Sequence, residues 1–495
     1  MTVLSLRVAM SLDMVGMVVI MAGTAVLAIA AAVLLVIKFG HPDDKNTAMF
    51  PKFIVVLSLF LATACVLMFP LDVACTRAQS GVFAVGALWL TLFSIIAFLI
   101  VFVIPFAVFY YEESDGLSNP HVKRAVIYSL VFVAVFAIIV TCMFMLFGFV
   151  PIPAEEIQAR RDQFPHVKFA RKPDRVHWHK VPLALFAFAV MSLLGWALFM
   201  LFTPIGLITL PMDLFNAFRT RPQPMSLQEY AKHKLELGRK ASELLAAAKG
   251  QDEDRNNLDR TVTKKVAKAD KKSFAQLQVA TYRLKKRRAL LEEAYVLRGG
   301  NPLWHAFKLF LGFVALLLTL SWIAHIVSHL MAGATPALNS VFQWLEGNGT
   351  FPLLGIIAFT LHAIYLLVAA VKGAFRFSLG LSCMKIYPME LGNTYMSAFL
   401  VNMWLVLALT IPLIQFCSMS FNVYAADTTI ESIFKWHINM LGMFNKFLFR
   451  FDIYLYVMGG VALITTIFTI ILPKNTTKQV DARLRALARG EIQLS

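Results

Sequence analysis

The 495-residue chain is 59% hydrophobic and 15% charged, with a formal net charge of +17. A soluble domain stands nearer about 45–50% and about 25% on those two measures, so a soluble globular fold is excluded and an integral membrane protein is expected. The five cysteines (Cys65, Cys75, Cys142, Cys383, Cys417) show no CxxC spacing, which argues against a disulfide framework or a zinc site.

Apolar runs fall near 14–37, 53–73, 82–110, 125–150, 182–203, 303–331, 351–375, 394–420 and 453–473. A helix needs about 20 apolar residues to cross a bilayer, so these runs predict an all-α polytopic membrane protein with about nine transmembrane helices. The first run is too long for a signal-peptide core and has no basic leader beyond Arg7, so it reads as a retained span. Charged residues gather between the runs, as the cost of burying charge in lipid requires. The expected organisation is an N-terminal bundle over 1–218, a basic helical hairpin over 219–300, a C-terminal bundle over 301–473 and a tail over 474–495.

Lys and Arg in the connections set the expected orientation. With the N-terminus lumenal or extracellular, the cytosolic side receives Lys38, Lys45, Lys52, Lys123, Arg124, the basic segment after the fifth span, and the C-terminal tail. The connection 151–181 opposes this, with seven bases on the outer side, but inverting the chain would expel the far larger basic segment. Asn348, in the sequon Asn-Gly-Thr, then lies outside as a glycosylation candidate, while the sequon at Asn475 lies inside.

Along the chain, the third span ends in VIPFAVFYYEESD (103–115). Pro105 is placed to kink its last turns, and Tyr110 and Tyr111 suit a cytosolic interface. Glu112, Glu113 and Asp115 read either as a solvated span end or as a docking cluster for Lys and Arg of the hairpin. They lack the regular ligand spacing of a calcium loop. The fifth span runs on into GLITLPMDLFNAF (206–218), where Pro204, Gly206 and Pro211 predict a break and Asp213 reads as a headgroup-level acid or a buried partner. Broken helices of this kind build substrate and ion sites in transporters.

The segment 219–300 has 20 Lys+Arg and 10 Asp+Glu. Ser226-Leu-Gln-Glu229 is a capping box that opens one helix. Leu277, Leu284 and Leu291 recur seven apart in a second, predicting an antiparallel hairpin. Its basic patch, with Lys285, Lys286, Arg287 and Arg288, reads as a solvated topology-setting face or as a surface for protein partners or anionic cytosolic lipid. Sparse aromatics and the lack of a binding motif argue against nucleic acid.

Span six has His325 and His329 four apart on one face, and span seven has His362. No acid accompanies the pair in span six, so hydrogen bonding between helices is expected rather than a metal site. Asn402, Pro412 and Gln415 interrupt span eight and face either a partner helix or a cavity. There is no phosphate loop, GxSxG or HExxH, so neither an enzyme nor a cofactor is expected.

Several stretches carry a resemblance: HPDDKNTAMFPK (41–52), FPLDVA (69–74), VIPFAVFYYEESD (103–115), GLITLPMDLFNAFRTRP (206–222), WIAHIV (322–327) and IPLIQFCSMSF (411–421). Together they resemble the LIMR family, which includes the lipocalin-interacting membrane receptor and the lysosomal cobalamin-export protein. Within it they resemble most the branch with the HPDD…FPK loop. The resemblance implies the multi-pass fold and an endomembrane (lysosome or Golgi) or plasma-membrane address. It also implies either a receptor or trafficking scaffold, or a transporter or transporter accessory for a small-molecule ligand such as cobalamin.

Overall fold

The structure, a computed structural model, describes residues 3–41, 44, 48–77, 84–112, 122–152, 177–219, 221, 226–257, 301–347, 353–376, 380–381, 384–385, 394–449 and 451–471. Between 277 and 295 it describes 277, 280, 281, 284, 285, 287–289, 291, 292 and 295. Among these residues, eight helices are long and apolar enough to cross a membrane, and a ninth span forms if Gly442–Phe449 and Ile453–Thr469, bent by 43°, are taken together. In hydrocarbon every backbone polar group must be satisfied within the chain, and the helix does this segment by segment.

The helices are α1 (Val3–Phe39), α2 (Met49–Arg77), α3 (Val85–Glu112), α4 (Val122–Phe147), α5 (Leu183–Arg219), α6 (Leu227–Asn257) and α7 (Pro302–Met331). They continue with α8 (Ala337–Gly347), α9 (Leu353–Arg376), α10 (Met396–Ser420) and α11 (Ile453–Ile471). Two short antiparallel pairs interrupt them: β1 (Phe149–Ile152) with β2 (His177–Lys180), and β3 (Gly380–Leu381) with β4 (Met384–Lys385). The chain divides into two compact units, one of Met1–Leu210 with Ala315–Thr465, the other of Pro211–Val314 with the described residues from Thr466 on.

In the first unit α10 is the central helix, buried along nearly its whole length, and it packs on α2, α9 and α3. Helices α1 and α4 lie at the edge and leave most of their described apolar side chains at least partly exposed, the arrangement lipid contact demands. Trp89, Trp196, Trp322, Phe359 and Phe416 are fully buried in this unit.

The expected break in the fifth span is not there. Helix α5 is continuous for 37 residues through Pro204, Gly206 and Pro211. Pro211 has no N–H, which leaves the Leu207 carbonyl four residues earlier without its helical donor. Thr319 of α7 replaces that donor, giving its hydroxyl proton to the Leu207 oxygen at 3.0 Å. The Tyr365 hydroxyl of α9 lies 2.6 Å from the Thr319 oxygen and donates to the Ala315 carbonyl of α7 at 2.8 Å. Gly206 serves packing rather than bending. A Cβ there would overlap the Ala369 carbonyl oxygen, and one on Gly373 would overlap the Phe202 carbonyl oxygen. Helices α5 and α9 therefore cross with their backbones in contact, the geometry small residues permit in membranes.

Pro105 is accommodated in the same way. A π turn over Leu99–Val103 precedes it, and in that turn the Ile100 carbonyl would look five residues ahead, to Pro105, for its donor. Trp404 of α10 supplies an N–H instead, at 3.1 Å. Helix α3 thus stays helical to Glu112.

In the second unit, α6 opens with the expected capping box. The Glu229 side chain accepts from the Ser226 N–H at 3.1 Å, and Ser226 Oγ accepts from the Glu229 N–H at 3.3 Å. The Ser226 N–H, and beside it the Ser226 hydroxyl, donate to the Glu229 carboxyl and hold it below its usual range. The Tyr230 ring stacks on Tyr295 with centroids 4.1 Å apart, pairing the start of α6 with the last of the described helical residues between 277 and 295.

Candidate functional site

Among the described residues, four polar stations gather chemistry-bearing side chains. The first gathers at one end of the first unit. Asp44 of the HPDD loop is nearly buried, and its side chain accepts from the Met396 N–H at 3.2 Å. That N–H belongs to the first turn of α10, where no intrahelical acceptor exists. Tyr111 donates to the same side chain, and Lys52 donates to the Asp44 carbonyl. His41 stacks on Tyr395 at 4.4 Å, and Gly40 bridges to Thr394. Of the expected acidic docking cluster, Glu112 is exposed at the end of α3, while Glu113 and Asp115 lie outside the described residues.

The second station is in the middle of the bundle. Gln415 of α10 is fully buried and uses both ends of its amide. Its Oε1 accepts from Ser192 Oγ at 2.6 Å and from Trp196 Nε1 at 2.8 Å, both on α5. Its Nε2 donates to Asn439 at 2.5 Å. Gln415 therefore faces partner helices. Asn402, also on α10, is fully buried.

The three histidines each give a ring proton to a backbone carbonyl. His325 Nε2 donates to Ser420 at 2.9 Å, His329 Nδ1 to Ala334 at 2.9 Å, and His362 Nδ1 to Ala358 at 2.8 Å. The rings of His325 and His329 lie 5.3 Å apart in an aromatic cluster with Trp322, Phe342 and Phe421. Among the described residues no group of three His, Cys, Asp or Glu is arranged to hold a metal ion.

The third station closes the opposite end. Asp72 of α2 is completely buried, and its carboxyl oxygens accept from Trp89 Nε1 at 2.9 Å, Thr429 N at 3.2 Å and Ile430 N at 2.9 Å. It therefore caps the short helix that begins at Thr429. One turn further, Arg77 pairs with Glu346 of α8, donates to the Tyr424 carbonyl at 2.8 Å and lies 4.1 Å over the Tyr424 ring. Tyr424 donates to Glu346 at 3.2 Å, and burial pushes its phenol up to about 12, so it remains a neutral donor. Asn348, the glycosylation candidate beyond α8, lies outside the described residues.

The fourth station is the hairpin of the second unit. Its two arms border a groove of about 560 Å³. Leu237, Leu244, Leu284 and Leu291 line it together with Lys234, Lys285 and Arg288. Arg287 is half-buried, and Lys286 lies outside the described residues. Asp213, half-buried on α5, belongs to this unit.

Sequence reasoning passes over Asp44 and Asp72 as site residues, although both stand in stretches that carry the resemblance. The available signal is an ionisable residue within or beside an apolar run, which lipid makes expensive unless it has a partner. Asn439 and Gly373 give no comparable signal, since their partners are remote in sequence.

The family model described as LMBR1-like membrane protein matches residues 17–294 and 256–470. A LIMR family protein of Dictyostelium discoideum is 29% identical, over 90% of this chain and 95% of its own. One from Arabidopsis thaliana is 31% identical, over 87% of this chain and 90% of its own. A protein of Aspergillus terreus named a probable lysosomal cobalamin transporter is 23% identical, over 73% of this chain and 67% of its own. No solved structure matches. The length of these matches, over a bundle whose HPDD, FPLD and FYYEE stretches are joined by hydrogen bonds at its two ends, places the chain in the LIMR family of LMBR1-like multi-pass membrane proteins.

Proposed function

We propose that this protein is a non-enzymatic receptor or trafficking scaffold of an endomembrane or the plasma membrane, with its N-terminus outside and its hairpin and C-terminus in the cytosol. The observation that carries the reading is the use made of the intramembrane polar groups. Gln415 bonds Ser192, Trp196 and Asn439, His325 bonds the Ser420 carbonyl of α10, and His362 Nε2 lies 3.1 Å from Ser321 Oγ of α7, so these polar side chains are used to join helices. Buried polar groups satisfied in this way fix a bundle rather than line a route. The hairpin supplies the surface for partners or anionic lipid. Reversing Lys285, Lys286, Arg287 and Arg288 to Glu tests this. A scaffold loses trafficking of its cargo while the membrane bundle still folds, and normal trafficking in that variant would sink the reading.

The second reading is a transporter or transporter accessory for a small ligand. It is favoured by the 23% identical relative named a probable lysosomal cobalamin transporter. Labelled cobalamin retained in purified endolysosomes decides between the two. Retention that rises on deletion and falls on rescue supports transport, and unchanged retention leaves the scaffold.

A further inference from the structure

We propose that the hairpin groove is a docking site for an acidic amphipathic helix of a cytosolic partner protein. The inference rests on the scaffold reading and gives the chemistry of the partner. Along α6, Tyr230, Lys234, Leu237, Ala241, Leu244 and Ala248 recur at alternating steps of four and three, and all line the groove. The opposite arm answers with Leu277, Thr281, Leu284, Arg288 and Leu291 at the same steps. Such spacing makes a coiled-coil seam, in which leucines normally interlock. Here the seam is closed at one end by Tyr230 on Tyr295. Beyond that stack, small residues stand where bulky ones would fill the space. Ala241 and Gly238 are exposed, and a Cβ added to Gly238 meets nothing within 4 Å. Leu245, 60% exposed, stands at the mouth.

Leucine floor and small-residue gaps at helical spacing fit the apolar face of a third helix. The rim fixes its charge. Lys234, Lys285 and Arg288 border the groove, and the one acid among its described lining residues, Glu292, is paired with Arg288 at 2.9 Å. The surrounding segment 219–300 has 20 basic and 10 acidic residues. A second copy of the hairpin would bring the same positive rim. The chain's own tail, with Lys474, Lys478, Arg483, Arg485 and Arg489 against Asp481 and Glu491, has the same sign. A bilayer surface is flat and meets the rim lysines, but it leaves recessed Leu244 and the gap at Gly238 unfilled.

The test uses the full chain in neutral-lipid nanodiscs. The probe is a labelled helical peptide of about three heptads, Leu at its inner positions and Glu at its flanks, with a twin carrying Lys for Glu. The acidic peptide is expected to bind and its twin not. Ala241→Trp, which fills the groove from an exposed position, should weaken binding by about tenfold or more. The double variant Lys234→Glu, Lys285→Glu should exchange the preference toward the Lys peptide, an outcome that a merely misfolded hairpin does not produce. Equal binding of the two peptides, binding of neither, or binding indifferent to Ala241→Trp would overturn the proposal. So would capture by anionic vesicles that Ala241→Trp leaves unchanged and the acidic peptide does not displace, which would make the face a lipid surface. Failure here leaves the scaffold reading standing with its partner elsewhere, since that reading is judged by trafficking of the charge-reversed protein in cells.

Discussion

The Tyr111 hydroxyl lies 2.8 and 3.0 Å from the two carboxyl oxygens of Asp44 and joins the end of α3 to the loop before α2. The same side chain takes the first N–H of α10. One acid thus ties together three segments that are far apart in sequence, and the aromatic-acidic stretch at the end of the third span acquires a structural purpose through its tyrosine.

Asp44→Ala removes the acceptor for the hydroxyl of half-buried Tyr111 and for a buried helix-terminal N–H at once. It is expected to cost about 2–3 kcal/mol in the detergent-solubilised protein, because an orphaned buried donor costs about 1–3 kcal/mol. Tyr111→Phe removes the donor with its bond and should cost about 1 kcal/mol. Thermal unfolding of both variants checks the order. Equal effects would show that the helix-terminal bond contributes nothing.

Thr319 stands in for the N–H that Pro211 lacks, and this is measurable as a coupling. Thr319→Val should cost about 1 kcal/mol, in the range of interhelical hydrogen bonds in membranes. In a Pro211→Ala background the helix regains its own donor to Leu207, and the same substitution should cost less. A double-mutant cycle in unfolding free energy reads the difference. Additive costs would refute the substitution of one donor for the other.

The spans are legible in the sequence because lipid forces a long apolar run into a helix, and nine runs stand against eight such helices among the described residues, with a ninth where the bent pair is taken as one span. The fifth span stays whole against expectation because the usual rule, that proline and glycine end helices, assumes no tertiary help. Thr319 and Ala369 come from residues more than a hundred positions away, and they keep the helix intact at Pro211 and closely packed at Gly206. The capping box at Ser226 is legible because all of its atoms lie within four residues. Asp72 is not, since its meaning depends on Thr429 and Ile430 arriving above it.

Two glycines should respond in opposite directions to the same change. Gly206→Ala puts a methyl group into the Ala369 carbonyl at the α5–α9 crossing and should force the helices apart, lowering the yield of folded protein severely. Gly238→Ala sits on α6 in open space, and by helix propensity alone should stabilise the hairpin by about 0.5–1 kcal/mol. Size-exclusion profiles and thermal unfolding of the pair test this. A well-folded Gly206→Ala protein would mean that the crossing is looser than the backbone contact indicates.

Asp72 offers the steepest stability prediction. Three donors converge on a side chain with no access to solvent, and two of them are backbone groups that no substitution removes. Asp72→Ala should therefore cost about 3 kcal/mol or more, since Thr429 and Ile430 would keep buried N–H groups without acceptors. Asp72→Asn keeps one oxygen but turns the other position into a donor facing donors, so an intermediate loss is expected. Trp89→Phe deletes a donor and its bond together and should be the mildest of the three, at about 1 kcal/mol plus the small packing change. Denaturant unfolding in a fixed detergent ranks them. If Trp89→Phe proved the most damaging, the anchoring of the Thr429 helix would rest on the aromatic packing of Trp89 against Phe93 rather than on Asp72.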